Sequence, residues 1–353
     1  MFEIEMLPAR EGDSLWLRYG DKAKPRQLLI DGGRSATYKE LRARLMKLPA
    51  GHRDFELLII THVDRDHIEG AMDLLEDAHL PATFKQIWFN GFDHLKSAKL
   101  ETFGAVQGER VTAALLKRKK AWNSKWGGKA VALHSTALPK VLLDGGMTLT
   151  LLSPDRQKLI ELIPTWVKEC KAAGIVPGSK PKKEKIEGLE SFGGINIDAL
   201  SARKFVPDAT KPNGTSIALI AEYQGRRVLL GADAHVDRLL ASLKRAAGAE
   251  KKLTLDAYKV AHHGSEHNVS RELLELIDCP TYLISTNGSY FHHPKAVSLA
   301  RILKFGAPKT IAFNYRSKFT NVWDKPDLKS KYGYQAVYPP KQQNGTLLVT
   351  IAP

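Results

Sequence analysis

The chain has 353 residues, 43% hydrophobic and 26% charged, which excludes wholesale disorder, a collagen-like fibre and a coiled-coil rod. Lys and Arg number 53 against 38 Asp and Glu, and the net charge of +15 favours an anionic partner such as nucleic acid, a nucleotide or a membrane face. Two cysteines, Cys170 and Cys279, form no disulfide framework, and no apolar run approaches the roughly 20 residues of a membrane span. The acidic start lacks a leader pattern, so the sequence predicts a soluble, cytoplasmic protein.

In chain order, residues 14–19 alternate as a strand, 20–24 turn, and 27–30 form a second strand running into Asp31-Gly32-Gly33. A helix is predicted over 37–47. Residues 56–60 are a continuous apolar run, as expected of a buried strand. The run ends at Thr61-His62, a helix begins near Asp66, and 85–89 form a further strand. The stretch 110–129 carries Arg110, Lys117, Arg118, Lys119, Lys120, Lys125 and Lys129 with Trp122 and Trp126 among them. It reads either as a helix over 111–122 with a solvated basic face, or as a nucleic-acid surface whose tryptophans stack bases. A strand covers 147–152, and 174–195 is a basic loop rich in Gly and Pro. A hairpin about Gln224-Gly225 pairs 216–222 with 227–230 and delivers Asp233. A helix over 236–247, a strand over 257–261 ending in His262-His263, a strand over 281–284 and a helix over 294–305 follow. Alternating strands and helices make this an α/β protein.

His62, Asp64, Asp66 and His67 lie within six residues after a buried strand, a spacing that lets imidazoles and carboxylates converge on a Zn²⁺, Mn²⁺ or Fe²⁺ ion. The plainer reading makes Asp66 a helix cap and His67 a packed histidine. Asp233 and the His262-His263 pair also follow apolar strands, and open α/β sheets collect ligand sites at such edges.

These residues carry a resemblance. Thr61-His62-Val63-Asp64-Arg65-Asp66-His67 resembles the H-x-H-x-D-H metal signature of the metallo-β-lactamase superfamily, with Asp64 in place of the second His. The H-x-D-x-D-H form is similar to that of its ComEC-like branch. So are Gly12-Asp13-Ser14, Leu29-Ile30-Asp31-Gly32-Gly33, Asn213-Gly214-Thr215-Ser216 and Lys259-Val260-Ala261-His262-His263-Gly264-Ser265. Gly231-Ala232-Asp233 and Tyr290-Phe291-His292-His293-Pro294 match with one extra residue each. The matches run from 12 to 294 in order. They omit about 95–205, which reads as a family-atypical insertion in one domain spanning 1–353.

The resemblance implies an αββα four-layer sandwich holding two divalent metal ions, Zn²⁺ or Mn²⁺, at the sheet edges. The first ion would take His62, Asp64 and a bridging Asp233. It would be short of ligands, because Ser153 stands where a further His is expected. The second would take Asp66, His67, Asp233 and one of His262 and His263, with His262 favoured. Asp66 and Asp233 would be catalytic, Asp31 would orient a ligand, and His293 would give a proton or hydrogen bond to the leaving oxygen. The expected activity is that of a metal-dependent hydrolase, a two-metal phosphodiesterase or nuclease acting on DNA or RNA. The alternatives are a small-molecule hydrolase of lactones, thioesters or phosphoesters, and a catalytically degraded nucleic-acid-binding module.

Overall fold

The computed structural model describes residues 1–96, 106–118, 121–172 and 195–352. Lys119, Lys120 and the basic loop at 174–195, apart from its last residue, lie outside the described residues.

Two sheets face each other. The first is built from β1 (Phe2–Met6), β2 (Leu15–Tyr19), β3 (Arg26–Ile30), β4 (Leu57–Ile59), β5 (Ile87–Trp88) and β14 (Leu347–Ala352), in the order β14-β1-β2-β3-β4-β5. The second holds β6 (Lys140–Leu142), β7 (Thr148–Ser153), β8 (Ala218–Tyr223), β9 (Arg226–Leu230), β10 (Ala257–Lys259), β11 (Thr281–Ile284), β12 (Thr310–Phe313) and β13 (Gln335–Val337), in the order β13-β12-β11-β10-β9-β8-β7-β6. Strands β3 to β5 pair in parallel, as do β9 to β13.

Side chains alternate across a strand, and the buried residues sort into three cores on that rule. In β3, Leu28 and Ile30 meet Leu219 and Leu230 between the sheets, while Leu29 points outward to α1 (Tyr38–Met46) and α2 (Arg65–Glu76). The outer layer on that side also holds α3 (Val106–Leu116) and α4 (Arg156–Ala172), through Val111, Leu115, Leu159 and Trp166. On the other side Leu229, Tyr258 and Tyr282 pack on α5 (Val236–Ala247), α6 (Arg271–Leu276) and α7 (Ala296–Arg301). Helix, sheet, sheet, helix is the αββα order. No helix among the described residues is long and apolar enough to cross a membrane.

The reading of the sequence passes over β1 and β14, which pair with each other at one side of the first sheet. Phe2, Ile4 and Met6 enter the inter-sheet core, and the intervening Glu3 and Glu5 are neutralised by Arg18 and Arg44. Of the described residues in 95–205, β7 pairs with β8, and α3 and α4 cover the first sheet. The helix expected over 111–122 ends at Leu116. Both tryptophans after it pack inward. Trp122 donates to the Phe89 carbonyl at 3.0 Å, and Trp126 meets Trp88 edge-on. Arg110 is spent on an ion pair with Glu76.

The loop after β3 is strapped to α2. Gly32 N–H donates to the His67 carbonyl at 2.9 Å and Gly70 N–H to the Gly33 carbonyl at 2.8 Å. A Cβ on Gly70 would stand 2.0 Å from the Gly32 carbonyl oxygen. This approach holds His67 beside Asp31. Gly70→Ala is expected to cost about 1–3 kcal/mol, as overpacking does, read as a lower denaturant midpoint at unchanged slope.

Candidate metal centre

The candidate residues leave the carboxyl ends of parallel strands. Asp31 follows β3, His62 follows β4, Asp233 follows β9 and the His262-His263 pair follows β10. Asp31, Ala232, His262 and His263 all have left-handed backbones, with φ of 58°, 44°, 48° and 53°. Such conformations cost of order 1–3 kcal/mol each outside glycine and concentrate where geometry serves a site. Ala232 absorbs the extra residue of Gly231-Ala232-Asp233, and His292, with φ of 57°, absorbs that of the Tyr290–Pro294 loop.

The structure brings all seven expected ligand residues together, in two groups. Asp233 Oδ1 lies 3.4 Å from His67 Nε2 and 3.6 Å from His263 Nε2, and Asp66 Oδ2 lies 3.4 Å from His263 Nε2. Asp233 Oδ2 lies 3.9 Å from His62 Nε2 and 3.7 Å from His262 Nε2, and Asp64 Oδ2 lies 3.6 Å from His62 Nε2. One carboxylate therefore serves both groups. The sequence-based expectation that His262 joins Asp66 and His67 is corrected: His263 occupies that position. His262 goes to the other group, which supplies the residue expected to be lacking beside Ser153. Asp64 precedes α2 but makes no side-chain cap, so its carboxylate is left for His62.

Each histidine is turned by a partner on its other nitrogen. His67 Nδ1 sits 2.8 Å from Asp31 Oδ2. His62 Nδ1 sits 3.0 Å from Thr61 Oγ1, whose own proton goes to Asp31, so the oxygen accepts. His263 Nδ1 donates to the Ser285 carbonyl at 3.0 Å, with Asp13 Oδ1 at 3.4 Å. His262 Nδ1 donates to Asn268 Oδ1 at 2.9 Å, with Asp208 Oδ2 at 3.3 Å. Every Nδ1 thus carries a proton, and the Nε2 lone pairs converge, those of His67 and His263 only 3.1 Å apart. Facing lone pairs need a cation or a proton between them. The buried His62 Nε2 and Asp233 Oδ1 have no hydrogen-bond partner. Nitrogen and carboxylate donors steered from behind are the chemistry of a divalent metal site, and the residues fit it.

Asp13, Lys259, Asp208 and Asn213 matter although the sequence reading left them without a role. Asp13, His67, Asp233 and His263 each bring a candidate ligand atom within 4.8 Å of one another. Asp13, however, faces the Nδ1 side of His263, away from the convergence point. Its other oxygen binds Lys259 Nζ at 2.6 Å, and both residues are fully buried. Asp13 therefore sets a negative charge behind His263, whose Nδ1 proton goes to the Ser285 carbonyl, and Lys259 keeps that carboxylate charged. Asn213 donates to Asp208 Oδ2 at 2.7 Å, holding it toward His262. Their signal lay in the motifs that carry the resemblance: Asp13, Asn213 and Lys259 belong to one each, and Asp208 contacts Asn213 and His262.

Burial would raise the Asp233 pKa, but His67, His262 and His263 hold it well below the usual carboxylate range. Burial likewise opposes charge on His67, yet Asp233 and Asp31 lift its pKa well above the ordinary imidazole value. For His263, Asp233 and Asp13 outweigh burial and raise it to about 9. His293 goes the other way: burial and then the neighbouring His262 and His263 push it well down. Its ring lies 5.2 Å from that of His262, and its Nδ1 is unpartnered.

No family model matches the chain. ComE operon protein 3 of Bacillus subtilis (strain 168) is 24% identical over 201 residues, and the match covers 54% of this chain but only 24% of that protein's length. Two solved structures are similar over 99% of this chain and 99% of their own. They are the metallo-β-lactamase fold protein YhfI from Bacillus subtilis, at 11% identity and TM-score 0.44, and Zn²⁺-bound PqqB from Methylobacterium extorquens, at 12% and 0.42. A diphosphatase of the PhnP family is 12% identical with TM-score 0.38, over 99% of this chain and 98% of that one.

Two measurements test the centre. Metal binding must displace a proton from His263, so affinity is expected to rise with pH up to about 9, by about tenfold per unit for each proton displaced; calorimetry in buffers of different ionisation enthalpy counts those protons. Asp13→Asn or Lys259→Met alone leaves a buried charge unpaired and is expected to cost about 3–5 kcal/mol, with the double variant losing less than the sum in denaturant titration. The three cores and the strand-end cluster give this chain the metallo-β-lactamase fold, in a form similar to the ComEC-like branch.

Proposed function

We propose that this chain is a metal-dependent hydrolase that cleaves phosphodiester bonds in nucleic acid. The observation that carries the reading is the division of ligand groups over the two oxygens of Asp233. His62, Asp64, His262 and Asp233 Oδ2 would hold one divalent ion, and Asp66, His67, His263 and Asp233 Oδ1 the other. Divalent ions bound there would activate water near neutral pH and neutralise charge developing on a phosphodiester.

The chain's own residues do the rest. Asp31 fixes the tautomer and direction of His67, and the Ser285 carbonyl those of His263, with the Asp13 carboxylate beside the same nitrogen. Asp233 keeps its charge despite burial, because the surrounding imidazoles hold its proton off. His293 is neutral at pH 7, and a nearby cation would keep it so. This narrows its expected role from proton donor to hydrogen-bond donor toward the leaving oxygen. The net charge of +15 supports a polyanionic substrate.

The test is cleavage of labelled single- and double-stranded DNA and of a simple phosphodiester with Mn²⁺ or Zn²⁺. Metal-dependent cleavage in the wild type is expected, and Asp233→Asn should abolish it. His293→Ala should lower kcat by about a hundredfold, the effect of losing one transition-state donor, without moving the pH profile. Failure of the metal-loaded wild type to cut any diester would end the phosphodiesterase reading.

A further inference from the structure

Tyr290 and Phe291 are each 43% exposed, and among the described residues no other large aromatic side chain is as open to solvent. They are consecutive, and they stand at the mouth of the candidate centre. The Phe291 ring lies 6.4 Å from that of His262 and stacks on His293 at 5.8 Å with an interplanar angle of 25°. Tyr290 braces it edge-on at 4.6 Å. The loop that carries them is tied down on both sides. Asn287 N–H donates to the Arg10 carbonyl at 2.8 Å, and the His292 ring stacks on Phe319 at 5.1 Å. The rings are therefore held out in water by a braced loop, at a cost in exposed apolar surface that a ligand would recover.

We infer that Tyr290 and Phe291 form a stacking subsite for one nucleobase next to the phosphodiester being cleaved; this rests on the function proposed above. Phe291, backed by His293, supplies an aromatic face within one nucleotide's reach of His262. Lys295, whose N–H donates to the Gly264 carbonyl at 3.0 Å and which forms no ion pair among the described residues, sets a cation beside the same loop. A flat ring, a neighbouring cation and a net charge of +15 together fit a nucleotide better than an apolar peptide or an acyl chain. The subsite selects for the presence of a base rather than for its identity, because every base offers a π-face.

The test uses full-length protein and oligothymidylate, with one abasic position walked along the strand. In the wild type, an abasic position on one side of the cut is expected to raise KM by about tenfold to a hundredfold, the range for losing one stacked base. Phe291→Leu should show the same rise on the intact strand and lose the abasic effect, whereas Phe291→Trp should retain both wild-type behaviours. A second readout needs no turnover: the metal-free protein should quench an oligonucleotide carrying one 2-aminopurine, and Tyr290→Ala/Phe291→Ala should not, at unchanged metal stoichiometry when reloaded. Equal KM for intact and abasic strands, or unchanged quenching in the double variant, overturns the subsite. A wild type that quenches but cuts no diester sinks the phosphodiesterase reading while leaving the stacking surface standing.

Discussion

Burying four carboxylates at one sheet edge is the constraint on which the rest of this structure turns. Asp13, Asp31, Asp66 and Asp233 are all nearly inaccessible to water. Such a concentration of negative charge is untenable in a protein interior without compensation. One buried lysine answers Asp13. The imidazoles of His62, His67, His262 and His263 surround the others, which is a good arrangement for protons and a better one for divalent cations. The outward-facing nitrogen of each imidazole is already committed, so the inward-facing one has little freedom of direction.

That arrangement explains several local oddities at once. Left-handed backbones at Asp31, Ala232, His262 and His263 are expensive, yet they turn side chains from parallel strand ends toward one point. Glycines 32 and 70 let helix and loop backbones touch, which no residue with a Cβ would allow. The buried Lys259, costly to desolvate, sits where it keeps Asp13 ionised behind His263. Strain and buried charge gather in the same few residues, as they do where a fold serves chemistry.

The site is asymmetric in exposure. Its inner half, around Asp66, His67 and His263, is buried. Its outer half includes Asp64, whose side chain is 39% exposed, and His262, which lies beside Phe291 and His293. In the basic stretch at 110–129 the tryptophans pack inward and Arg110 is paired, while Lys117, Lys125 and Lys129 are exposed.

Much of this was legible in the sequence. Short apolar runs marked the buried strands, and the helix at 236–247 and the strand at 281–284 stand where periodicity put them. Ligand-type residues clustered after those strands marked the site. Strands β1 and β14 were not legible, because β1 is placed by pairing with both β2 and β14, and β14 by pairing with β1 across the length of the chain. The partition of His262 and His263 was not legible either. Adjacent residues in a left-handed turn diverge, and which one meets Asp66 depends on the crossing of strands far apart in the chain. The same holds for Asp13 and Lys259, 246 residues apart, and for Trp122, which local pattern could place on a surface or in a core. Sequence alone determined which chemistry could be assembled, since that follows from residue types and short spacings. Tertiary structure decided which atom faces which, since a side chain's direction at a strand end is set by partners that only the folded sheets bring near.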